Sequence, residues 1–81
     1  MNFSIFKTRE NGKTYKLQSF DSFEDADDFM ENEATATYFL SSKKVDFQMC
    51  VVNKKGKTLK AIRATSRYGI WEQSLNLAHA E

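Results

Sequence analysis

The chain has 81 residues and a formal net charge of +1, the size of one small domain. Hydrophobic residues make up 41% of it and aromatic residues 14%, enough for a packed core, so a disordered chain is excluded. Cys50 is the only cysteine, which excludes a disulfide scaffold, and no apolar stretch approaches the ~20 residues of a membrane helix.

The chain contains no proline and no low-complexity stretch, so it reads as a single α+β domain over residues 1–81 without a linker. Met1 to Lys16 lacks the uninterrupted apolar core of a signal peptide. With the unpaired cysteine, this points to a reducing, cytoplasmic setting. Glycine punctuates the chain. Gly12 and Gly56 each close a three-residue polar loop, Glu10-Asn11-Gly12 and Lys54-Lys55-Gly56, and supply the left-handed residue of a bulged hairpin turn. The first loop pairs Ile5 with Leu17 and gathers Phe3, Ile5, Tyr15 and Leu17 on one face, with Phe6 and Phe20 on the other.

Ser22 with Asp25 three residues later starts a helix, a capping box with Asp in the Glu/Gln place. Phe23, Ala26, Phe29 and Met30 form its buried stripe, and Glu24, Asp25, Asp27 and Asp28 crowd the turns where the dipole favours negative charge. The helix is expected to end near Glu33 or Ala34. Residues 36–40 fit either a short strand or its last turns. Val45, Phe47, Met49 and Val51 then alternate with polar residues as a half-buried strand. The Lys54-Lys55-Gly56 loop pairs Val51 with Leu59 and Met49 with Ala61, and leaves Gln48, Lys60 and Ile62 on the opposite face. Beyond Gly69, Trp71, Leu75 and Ala78 share a helical face, so residues 68–79 read as a short C-terminal helix, with an edge strand from Tyr68 to Trp71 as the competing reading. The order is β-β-α-β-β: an antiparallel sheet of about four strands packed on one helix, followed by a short C-terminal helix or strand.

The motifs for chemistry are sparse. Gly-Lys-Thr occurs at Gly12-Lys13-Thr14 and at Gly56-Lys57-Thr58, but a phosphate-binding loop needs a glycine five positions before the second one. Lys7 and Val51 stand there, and strands follow both lysines where a helix is required. His79 is the only histidine and lies near the chain end. Cys50 lies mid-strand with no histidine base beside it, so it reads as a structural or surface cysteine. The acidic run Glu24-Asp25-Ala26-Asp27-Asp28 lacks the bend glycine and alternating ligands of a calcium loop. These readings give a non-enzymatic protein with no cofactor, no metal and no small-molecule substrate.

Charge layout is the informative feature. Net charge is +3 over residues 1–20, −7 over 21–33, +7 over 34–68 and −2 over 69–81. Two candidate binding patches follow: a basic one of Lys54, Lys55, Lys57, Lys60 and Arg63, and an acidic helical stripe of Glu24, Asp27, Asp28 and Glu31. Opposed patches suit electrostatic steering onto a complementary partner. The acidic helix could occupy a groove that normally holds nucleic acid, as a phosphate mimic. The alternative is single-stranded nucleic-acid binding on the basic sheet face, with Phe6, Phe20 or Tyr68 stacking on bases.

In size and β-β-α-β-β order the chain resembles the small orphan proteins encoded by phages and plasmids, some anti-CRISPR inhibitors among them. That resemblance implies a non-enzymatic domain that covers the surface of a larger machine. The partner expected is a protein or nucleoprotein complex rather than free nucleic acid, and not a membrane.

Overall fold

Both Gly-Lys-Thr segments fold as hairpin turns. The computed structural model describes residues 1–72 and gives β1 (Phe3–Arg9), β2 (Thr14–Phe20), α1 (Phe23–Leu40), β3 (Asp46–Asn53), β4 (Thr58–Thr65) and β5 (Gly69–Glu72). At the first turn the Arg9 N–H donates to the Lys13 carbonyl at 2.9 Å and the Gly12 N–H to the Arg9 carbonyl at 2.9 Å. At the second, Asn53 donates to Lys57 at 2.8 Å and Gly56 to Asn53 at 3.0 Å. Gly12 and Gly56 have φ of 84° and 83°, the left-handed conformation that closes a three-residue loop. Asparagine side chains brace both turns: Asn11 Oδ1 accepts from the Lys13 N–H, and Asn53 Oδ1 from those of Lys55 and Lys57, each at 2.9 Å.

Next to each turn the register is the expected one, with Phe6 opposite Lys16 and Val52 opposite Thr58. Further along, each second strand carries one extra residue. Ile5 then pairs with Gln18 rather than Leu17, Val51 with Lys60 rather than Leu59, and Met49 with Ile62 rather than Ala61. A bulge moves every later side chain to the other face. Here both slips favour the core. Without the first, Ser19 would stand opposite Phe3, where the observed partner is Phe20. Without the second, Arg63 would stand opposite Phe47 on the core face, where the observed partner is Ala64. An unpaired buried guanidinium would cost several kcal/mol, so the bulged register is favoured. Phe20 and Ile62 are therefore core-facing, contrary to expectation, and Phe6 stays on the opposite face.

The sheet has five strands, one more than expected, in the order β2-β1-β3-β4-β5 with every neighbouring pair antiparallel. The last strand is β5, so the strand reading holds for Gly69–Glu72. The helix expected from Trp71, Leu75 and Ala78 falls, beyond Glu72, outside the described residues. β2 and β3 run in the same direction with β1 between them, so α1 carries the chain across β1 over one face of the sheet.

Ser22 caps α1 by accepting the Asp25 N–H at 3.1 Å. Ala26, Met30 and Ala34 are fully buried on the sheet with Ile5, Phe47, Met49, Val51, Ile62 and Ala64. Phe3 meets Phe23 edge-on at 6.2 Å, and Phe20 packs on Phe29 at 5.2 Å. The helix runs past its expected end to Leu40, so residues 36–40 are its last turns. The stripe of Ala26, Met30 and Ala34 continues through half-buried Thr37 and Tyr38. That burial outweighs the weak helix propensity of the threonines, at most ~0.7 kcal/mol each. No helix among the described residues is long and apolar enough to cross a membrane.

Candidate binding surfaces

The structure divides the five residues of the expected basic patch among three places. Lys54, Lys55 and Lys57 are exposed at the β3–β4 turn. Lys60, past the bulge, lies on the helix-covered face. Its ammonium sits 2.8 Å from Asp27 Oδ1 and 3.2 Å from Glu31 Oε2. Arg63 lies on the opposite face, where its Nη2 donates to Asp46 Oδ1 at 2.9 Å. The two Gly-Lys-Thr-x-Lys segments thus send their last lysines to opposite faces: Lys16 pairs with Phe6 on the face away from α1 and Lys60 with Val51 on the face beneath it. In β2 the bulge comes after that lysine, and in β4 before it.

The acidic stripe is also divided. Asp27 is half-buried, with Oδ1 cut off from water and Lys60 as its charge partner. Burial works against the Lys60 ammonium, but hydrogen bonds and charge from Asp27 and Glu31 outweigh it and hold its pKa above the ordinary lysine value. Glu31 is exposed at the rim of this pair. Glu24 and Asp28 are exposed and make no ion pair among the described residues. With Asp25 they make the exposed side of the first turns of α1 strongly negative.

The face of the sheet away from α1 is not the basic aromatic platform expected. Across it run Lys16, Phe6, Cys50 and Ala61, beside Ser4, Ser19, Thr8, Thr14, Gln48 and Val52. Hydroxyl pairs knit its edge, Ser4 with Ser19 at 3.0 Å and Thr8 with Thr14 at 2.8 Å. Phe6 is half-buried there, Phe20 is on the core face, and Arg63 is taken up by Asp46. Cys50 is a half-buried free thiol. Burial pushes its pKa up, against a weaker pull from a backbone hydrogen bond at Phe6, so it is less a thiolate than an open cysteine. No group of three metal-ligating side chains occurs among the described residues, and His79 lies outside them.

A cluster that sequence proximity did not reveal lies at the C-terminal end of α1. Antiparallel pairing sets the end of β1 against the start of β3, Arg9 opposite Phe47, and the start of β3 against the end of β4, Asp46 opposite Thr65. The loops at 10–13, 41–45 and 66–68 therefore meet at one end of the sheet, where the Ser66 N–H donates to the Val45 carbonyl at 3.0 Å. Lys7, Arg9, Lys43 and Lys44 converge there on a hollow of about 330 Å³ that also has Glu10 and Asp46 on its wall. The Lys7 ammonium lies 4.8 Å from the centre of the Phe47 ring, which fixes its direction. An adjoining hollow shares Glu10, Lys44, Val45 and Asp46 and adds Arg67. The signal for this cluster was in the sheet order, which the sequence pattern alone leaves open.

No family model, curated protein or solved structure matches this chain.

Proposed function

We infer that this chain is a non-enzymatic binding domain that covers a surface of a larger macromolecular partner, a protein or nucleoprotein complex that handles nucleic acid. The reading is supported by one observation: the first turns of α1 expose Glu24, Asp25 and Asp28, which make no ion pair among the described residues. Carboxylates on successive turns repeat about every 5.4 Å along a rigid rod, a spacing suited to a groove built for phosphates. The rod is held on the sheet at its flank by Lys60, so its charges meet a partner already oriented. Inhibition by occlusion, in the manner of phage- or plasmid-borne inhibitors, is the mode we favour.

The test is affinity capture from cell lysate with the wild-type chain and E24K/D28K side by side. Wild type is expected to retain a nucleic-acid-handling protein that the variant loses, while the variant still melts cooperatively, its midpoint lowered only by the helix-dipole cost of about 0.3–1 kcal/mol per reversed charge. Equal capture by both, or no capture by wild type, would refute the role of the acidic face.

A further inference from the structure

We propose that the end of the sheet beside the helix C-terminus is a seat for single-stranded nucleic acid. The phosphates run along Lys7, Arg9, Lys43 and Lys44 and on to Arg67, and Tyr68 offers a ring to a base. This goes beyond occlusion by the acidic helix, concerns the opposite end of that helix, and can stand without it.

Charge arithmetic separates this seat from ordinary neutralisation of a helix terminus. The C-terminus of α1 presents about half a negative charge. The hollow beside it is lined by four cations and by the carboxylates of Glu10 and Asp46. Even with both carboxylates and the dipole subtracted, about one and a half positive charges remain. That surplus is available to an anion, and Arg67 adds one more cation from the second hollow, which measures about 630 Å³ and whose two carboxylates, Glu10 and Asp46, are the same two already subtracted. The path from the end of β1 to the end of β4 crosses two strand spacings, ~10 Å, a span of at most about three nucleotides, since ~3.4 Å is the spacing along a stacked duplex strand and an unstacked strand is longer per nucleotide.

The aromatic residue decides between polyanions. Tyr68 is 68% exposed in the β4–β5 loop, with the Arg67 guanidinium 5.3 Å from its ring centre. A basic track ending in an exposed ring is the arrangement by which proteins hold unpaired bases and their phosphates together. An acidic peptide would engage the lysines without calling on an exposed ring.

The test is fluorescence anisotropy of a labelled mixed-pyrimidine 12-nucleotide single-stranded DNA, titrated between 20 and 200 mM salt. With about three phosphates neutralised, log K against log salt should have a slope of about −2. K43E/K44E should weaken binding at least tenfold and flatten the slope by about 1.4. K43Q/K44Q provides the same test without new acidic charge. Y68A should weaken binding about fivefold or more at unchanged slope, and Y68F should restore it. K54E/K55E, at the other end of the sheet, should change affinity less than K43E/K44E does. Melts establish that each variant is folded. The proposal is overturned if wild type fails to bind the oligonucleotide at 20 mM salt. It is also overturned if K54E/K55E matches K43E/K44E. Equal binding of polyglutamate with Y68A silent would make the seat one for an acidic protein. Failure of lysate capture by the acidic face leaves all of these outcomes unaffected.

Discussion

Replacing Lys60 with methionine removes a charge from beneath the helix while keeping most of the apolar stem. Lys60 and Asp27 side chains are only 17% and 22% exposed, so K60M strands a largely buried carboxylate. Breaking a fully buried pair costs about 3–5 kcal/mol. Here Glu31 is 58% exposed and water reaches the rim, so screening reduces the expected loss to about 1–2 kcal/mol. In a domain of this size each kcal/mol moves the melting temperature by ~4–8 °C, so a drop of about 5–15 °C is expected by circular dichroism. D27N/K60M should recover much of it, because no buried charge is left unpaired and Glu31, which also loses its partner, is exposed enough to stay solvated. The pairing raises the Lys60 pKa in the fold, so its stabilisation is complete below the unfolded lysine value, ~10.4, and is lost as pH rises through the folded value. The gap between wild type and K60M should therefore stay level through neutral and mildly alkaline pH and close only above about pH 10.5. A gap under about 0.5 kcal/mol at pH 7, or one that widens with alkali, would refute this account of the helix anchor.

Met30 is fully buried against the sheet, so M30A should cost about 2–5 kcal/mol in urea unfolding. G12V and G56V should each cost more than about 1 kcal/mol, because both glycines have positive φ, while asparagine at either site should cost less. The β-carbon itself meets nothing within 4 Å, so the loss would come from backbone strain rather than from a clash, and a near-unchanged melt would show that the turns relax. Burial holds the Cys50 thiol above the usual cysteine pKa, so its alkylation by iodoacetamide should be slower at pH 7.5 than that of the unfolded chain, and should accelerate only at higher pH.

The sequence was most readable where a single residue type has few alternatives. Glycine in third place in Glu10-Asn11-Gly12 and Lys54-Lys55-Gly56 identified both turns, and Ser22 identified the helix start. Phe3, Ile5, Leu17, Phe47, Met49 and Val51 were legible as core because each lies near a turn or in a clean alternation. The bulges at Leu17 and Leu59 were not legible, since they are chosen by the side chains that end up beneath the helix rather than by a local signal. One such slip separated Lys60 from Lys57 and Arg63, and with them the basic patch. The helix end was misread because burial of Ala34 and Tyr38 overrode the threonines. The cluster of Lys7, Arg9, Lys43 and Lys44 depends on β1 pairing with β3, a long-range choice that neighbouring residues do not encode.

That pairing also shapes how the chain assembles. β1 is first in the chain but second in the sheet, bonded on one side to its hairpin partner and on the other to β3, from Phe3 opposite Asn53 to Arg9 opposite Phe47. Each hairpin closes locally, on a scale of ~1–10 µs, whereas the β1–β3 seam must wait for the intervening helix and bears the larger entropy of a long loop. The chain is thus two halves, β1-β2-α1 and β3-β4-β5, joined by one seam of strand pairing and one helix face. The exposed loop at 41–44 is the natural point at which to divide it into complementing fragments.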